Sequence, residues 1–239
     1  HDWTVVDAPT ALVRFRNTSN IVVDRCTFEK SGSTGLRFDR YSQNNVVQHS
    51  RFSNLGREAV VFVGRGPGFG DVNRDNEIAF NTIDNTGMEK WTAPAIVIDQ
   101  SSNKRIHHNH ISDTQFAAIV LTAPRQLAFA SHYEDEEGYL GREFHYHEVS
   151  WSVLEHMEHD PDELLGSYSA MDFVYNNGNL VELNTLLNVC QGAGYLVNGY
   201  VYNSATPRGG SNFINYNYVH DTRNNEVNNA AFYSDSDQE

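Results

Sequence analysis

An all-β solenoid is the fold class that this 239-residue sequence predicts, and three observations carry the prediction. A short motif, an Asn-like residue followed by x-(Ile/Val)-x-x-(Asn/Ser/Cys)-x-apolar, recurs seven times. Each copy is followed by a tetrad of the form small-apolar-x-apolar. Both segments alternate with period two and lack a 3.6-residue apolar stripe, so strands are expected throughout.

In chain order the first motifs are Asn20 to Phe28, Val47 to Phe52, Ile78 to Ile83, Ile106 to Ile111, Val149 to Leu154, Val181 to Leu186 and Ile214 to Val219. Their partner tetrads begin at Gly35, Ala59, Ala95, Ala118, Ala170, Gly194 and Ala231. Val23 to Val47 spans 24 residues, enough for two or three brief strands with turns. A unit this small cannot bury its own apolar face and must stack on its neighbours. Ankyrin, tetratricopeptide and armadillo units need amphipathic helices, and leucine-rich repeats need Leu at fixed places where Ile, Val and Phe alternate here. What remains is a single-stranded right-handed parallel β-helix of about seven to eight coils with long loop insertions. Cys26, Ser50, Asn81, Asn109, Ser152, Asn184 and Asn217 share one motif position, and stacked coils would turn that column into an inward polar ladder. On these motifs the chain resembles the pectate-lyase-like superfamily from about Ala11 to Ser234, a likeness that implies the fold and leaves the reaction open.

One domain over residues 1–239 accommodates every repeat, and because the last tetrad is followed only by Asp235 to Glu239, a fragment of a longer chain is expected. The formal charge of −14 argues against nucleic acid and anionic membranes as partners and disfavours strongly anionic polymers. No run reaches membrane-spanning length, and no signal peptide is present in the chain, whose expected location is secreted or at the cell surface. Cys26 and Cys190 fall in different columns of distant coils, so two free buried thiols are expected rather than a disulfide. Oligomeric state is left open.

Insertions in a solenoid fall in turns and commonly build its binding face. The long ones are 64–71, 84–93, 122–146, 155–169, 198–211 and 220–230, mostly in the later coils. Gly66-x-Gly68-x-Gly70 lacks the strand-to-helix context of a phosphate cradle and reads as a flexible loop. The 122–146 loop carries Tyr133, Tyr139 and a Glu134 to Glu137 run, then His145 and His147. Aromatic faces with carboxylates and imidazoles suit a sugar site. Among His107, His108, His110, His145, His147, His156 and His159 no spacing specifies a third zinc ligand, so no metal is assigned. The Glu134 to Glu137 run could hold Ca²⁺ but lacks a calcium loop's alternating ligands, and no cofactor is required. His159-Asp160-Pro161-Asp162-Glu163 differs from the Asp-Pro-His-Glu motif of alginate epimerases at the histidine and reads as a turn.

The third residue of each tetrad points away from the core. Its column is Arg37, Val61, Val97, Val120, Asp172, Leu196 and Tyr233, and the lone carboxylate suits a general acid. Two coil steps separate Asp172 from Asp235 and Asp237, about 10 Å, near the upper limit for an inverting glycosidase pair. The runs Ser169 to Tyr175 and Ala231 to Asp237, with Asn217 to Asp221 before the second, are similar to acidic strand segments of β-helix glycoside hydrolases. That resemblance implies catalysis by Asp172 with Asp235 or Asp237. Tyr175, Tyr195, Tyr233, His145, His147, His220 and Arg208 are the expected contacts to a polysaccharide or oligosaccharide. The alternatives are a polysaccharide lyase or uronate epimerase, for which Arg208, Arg223, His220 and Tyr195 offer bases or cations, and a non-catalytic glycan-binding or adhesin repeat.

Overall fold

The computed structural model describes residues 10–64, 72–99, 101–122, 178–189, 195–197, 212–222 and 233–234. Three short strands make each coil. The first has β1 (Ala11–Ser19), β2 (Val22–Asp24) and β3 (Thr27–Ser31); the second has β4 (Thr34–Gln43), β5 (Val46–Gln48) and β6 (Arg51–Leu55). The third adds a bridge strand: β7 (Val60–Val63), β8 (Asn73–Arg74), β9 (Glu77–Ala79) and β10 (Thr82–Thr86). There follow β11 (Ile96–Asp99), β12 (Arg105–His107) and β13 (His110–Ser112), then β14 (Ile119–Thr122), β15 (Leu180–Glu182) and β16 (Thr185–Leu187). A sixth coil has β17 (Tyr195–Val197), β18 (Phe213–Asn215) and β19 (Tyr218–His220), and β20 (Tyr233–Ser234) begins another.

Strands of equal rank pair in parallel into three sheets. Sheet A runs β1-β4-β7-β11-β14-β17-β20, sheet B runs β2-β5-β9-β12-β15-β18, and sheet C runs β3-β6-β10-β13-β16-β19. The chain is therefore a parallel β-helix, as its alternation predicts. The core is the inward half of that alternation: Leu36, Phe38, Val60, Phe62, Ile96, Ile98, Ile119 and Leu121 from sheet A face Val47, Ile78, Ile106 and Val181 from B and Phe52, Ile83, Ile111 and Leu186 from C. Like stacks on like, with Phe38 and Phe62 rings parallel at 4.5 Å and Phe28 and Phe52 at 4.7 Å.

The expected polar column exists, and its bonds run along the solenoid axis. Asn81 N and Nδ2 both donate to Asn109 Oδ1 (3.1 and 3.0 Å), and Asn109 N and Nδ2 repeat the pattern on Asn184 Oδ1 (both 3.0 Å). The residue before each rung, Arg25, His49, Phe80, His108, Leu183 or Tyr216, lies in the left-handed region at φ between 49° and 58°. Such a conformation costs a side chain about 1–2 kcal/mol, and the ladder's bonds hold the turn in place. Among the described residues none at positive φ is β-branched, as sterics require. A second ladder went unread in the sequence: Asn45 N donates to Asn76 Oδ1, Lys104 N to Asn179 Oδ1, and Asn179 N to Asn212 Oδ1. Lys104 interrupts it, fully buried, with Nζ on Asn73 O at 2.8 Å.

One expectation is corrected. Cys26 is exposed rather than buried, because it stands on the first rung and meets a neighbouring coil through Ser50. Cys190 lies outside the described residues. Val149 to Leu154 and the Ala170 tetrad with Asp172 lie outside the described residues too. Ile106 pairs with Val181, and Val120 with Leu196.

Candidate functional site

Period-two alternation gives sheet A an outer face made of two columns. One is Arg14, Arg37, Val61, Val97 and Val120, whose backbone register continues to Leu196 and Tyr233; the other is Arg16, Asp39, Val63 and Asp99, whose register continues to Thr122. From β4 to β11 this outer face is nevertheless buried, with Arg37 and Val97 at 0% exposure, Asp39 at 1% and Asp99 at 3%. Val61, Val63 and Val97 form an apolar cluster of their own, distinct from the interior core. Phe116 and Ala117, from the turn before β14, cover Val120 in the same way.

Charge on an enclosed face needs partners, and here guanidinium groups provide them. Arg14 and Arg37 both contact the Asp39 carboxylate closely, and Arg16 Nε reaches it at 3.4 Å. Two strand steps separate Asp39 from Asp99 in one column, with Val63 between them. At about 4.8 Å per strand their backbones stand about 10 Å apart, the spacing expected of an inverting carboxylate pair before side chains lean. The sequence reading passed over both because each lies one residue beyond its tetrad. Their signal is a carboxylate two residues after the outward position: Asp39 after Arg37, Asp99 after Val97, and likewise Asp235 after Tyr233.

At the start of the same sheet Glu58 is fully buried. Thr34 Oγ1 donates to its Oε2 at 2.5 Å, and Arg57 reaches it through Nε at 3.3 Å and Nη2 at 3.2 Å. Desolvation raises its pKa above the ordinary carboxyl value despite the opposing pull of Arg57 and Thr34. Five residues of extended chain separate Thr34 from Asp39, about 16 Å, so Glu58 does not pair with Asp39.

A different corner gathers histidines, where sheet B turns into sheet C. Phe80 stacks between His49 (5.3 Å) and His108 (4.8 Å). His49 Nδ1 bonds Asp24 at 3.0 Å, His107 Nε2 bonds Glu77 at 2.7 Å, and His107 Nδ1 meets His108 Nδ1 at 2.9 Å. The His49, Phe80 and His108 rings stack on one another along the axis, and His107 is buried against them edge-on. Among the described residues no group of three His, Cys, Asp or Glu side chains could hold a metal ion.

The remaining sequence-derived candidates are scattered. In the register of sheet A, Tyr233 pairs with Leu196 and Tyr195 with Ile119. His220 is exposed on sheet C, beside Asp221 at 2.8 Å, and does not join the sheet A face. Asp172, Asp235, Asp237, Tyr175, His145, His147 and Arg208 lie outside the described residues.

A family model described as "Right handed beta helix region" matches residues 7–131. No curated protein sequence matches the chain. A solved structure titled "Glycoside hydrolase" superposes with a TM-score of 0.52 at 16% identity, covering 90% of this chain and 38% of the other. At that identity the likeness bears on fold alone.

Proposed function

The chain belongs to the right-handed β-helix family, and from that premise we propose that it is a carbohydrate-active enzyme of glycoside-hydrolase type, working on the outer face of sheet A. The observation that carries the reading is the column Asp39–Val63–Asp99, two carboxylates two strands apart on an enclosed face outside the core. Hydrolysis of a glycosidic bond asks for two such groups, one giving a proton to the leaving oxygen and the other activating water or attacking the sugar. Asp172, with Asp235 or Asp237, is the proposed pair from the acidic segments of the sequence. Asp99, on the outer face of sheet A, is added as a third candidate carboxylate. Tyr233, Tyr175, His145, His147 and Arg208 are the proposed sugar contacts. A polymeric sugar substrate goes with secretion or surface display.

The test is release of reducing ends from a panel of polysaccharides by the wild type and by Asp172→Asn, Asp235→Asn and Asp99→Asn. Loss of an acid or base in the mechanism lowers turnover by about 10²–10⁴-fold while the β-rich circular dichroism spectrum persists. Full turnover in a variant removes that residue from the mechanism. A second reading, elimination or epimerisation at a uronate, is favoured by the concentration of Arg14, Arg16 and Arg37 on the face, since guanidinium groups bind sugar carboxylates. An unsaturated, ultraviolet-absorbing product would select it over hydrolysis.

A further inference from the structure

We propose that Trp91 is a stacking platform for an uncharged pyranose unit of the substrate, on the turn that leads from sheet C into sheet A; the proposal rests on the carbohydrate reading above and specifies its substrate as a neutral polymer. The turn is built, not loose. Ala93 N closes a tight turn on Lys90 O at 2.8 Å with Trp91 at its tip. Four more main-chain bonds pin the segment to the coil above: Gly87 N to Arg57 O, Met88 N to Leu55 O, and Glu89 N and Lys90 N to Gly56 O, all within 3.1 Å. Gly87 makes the entry with φ +81°, a conformation suited to glycine. Thr92, Ala93 and Pro94 are then buried as the chain enters β11.

This rigid frame holds Trp91 at 51% exposure and Met88 at 54%. Holding an indole and a thioether in water forgoes apolar burial in the free protein. Two side chains fall far short of the roughly 800 Å² per partner that a stable protein interface buries, whereas one sugar ring matches an indole face. Glu89, exposed beside them, offers an acceptor to sugar hydroxyls. A formal charge of −14 over the chain, with Glu89 at the platform, favours an uncharged glycan over a polyanion. Residues 96–99 follow within one strand, so the same segment that presents Trp91 delivers Asp99 to the outer face of sheet A.

Affinity electrophoresis decides the matter, with wild type, Trp91→Ala and Trp91→Phe run in gels cast with a neutral polymer (xylan, mannan, galactan or mixed-linkage glucan) or an acidic one (polygalacturonate or alginate). The wild type is expected to be retarded in at least one neutral gel. There Trp91→Ala weakens apparent affinity about tenfold and Trp91→Phe about threefold, at unchanged thermal midpoints. Equal retardation of Trp91→Ala, or retardation confined to acidic gels, overturns the proposal, as does self-association of the wild type that Trp91→Ala abolishes. Hydrolysis of a neutral polymer with unimpaired Trp91→Ala binding overturns the platform alone. Retardation of the wild type in no gel, with no polymer cleaved, overturns both the platform and the carbohydrate reading.

Discussion

Replacing Asn109 by alanine tests whether the axial ladder holds the coils in register. Its Oδ1 accepts Asn81 N at 3.1 Å and Asn81 Nδ2 at 3.0 Å, while its Nδ2 donates to Ile78 O at 2.9 Å, His107 O at 3.1 Å and Asn184 Oδ1 at 3.0 Å. The residue is 1% exposed. Alanine leaves Asn81 N without its ladder acceptor and Ile78 O without its ladder donor, each at about 1–3 kcal/mol. Asn81 Nδ2 keeps its bond to Val47 O and Asn184 Oδ1 keeps Asn109 N, so those ends cost less. The expected loss is about 3–4 kcal/mol. Serine supplies an internal control, because Ser50 already serves one rung: its Oγ accepts Cys26 N at 3.1 Å and donates to Gln48 O at 2.8 Å. Asn109→Ser therefore recovers the acceptor for Asn81 N and is expected to lose about half as much as alanine. Urea unfolding followed by circular dichroism gives the ranking. Alanine within about 1 kcal/mol of wild type, or serine no better than alanine, would refute the ladder's role.

Two further outcomes follow from particular contacts. Glu58 has a carboxyl pKa raised above 4.5 by desolvation, so its contribution to stability is complete below that value and is lost as pH rises through the folded one. The thermal midpoint of Glu58→Gln should accordingly gain on wild type as pH rises above 4.5; parallel pH profiles would contradict the burial of a protonatable group. A Cβ at Gly56 would lie 2.7 Å from Gly32 Cα and closer still to its carbonyl, whereas one at Gly32 meets nothing within 4 Å. Gly56→Ala should cost several kcal/mol and Gly32→Ala stay within about 0.5 kcal/mol, measured by the same urea titration; equal effects would contradict the close stacking of these two turns.

Much of the scaffold was legible in the sequence because a β-helix repeats local rules. A period of two sorts core from exterior within four residues, and an Asn at a fixed place marks each rung of Asn81, Asn109, Asn184 and Asn217. The signal is strongest where a turn pair precedes the motif: Asn44-Asn45, Asp75-Asn76 and Gly178-Asn179 supply a residue at positive φ and then a ladder amide. Val149 to Leu154 shares the apolar pattern but is preceded by Tyr146 and His147.

What the sequence determined by itself is the architecture: alternation, ladder residues and turn residues are each set within a few positions, and stacking follows because no single coil can bury its apolar face. What only the tertiary structure decided is which segments become neighbours. Ile106 meets Val181 across 75 residues. Each doubling of a flexible loop adds only about 0.6 kcal/mol of closure entropy, so a long insertion can be bypassed where ladder and core bonds complete the next rung. Strand pairing, rather than local pattern, makes that choice. It brings Asp39 and Asp99 onto one enclosed face, a juxtaposition of residues sixty apart that no local rule contains.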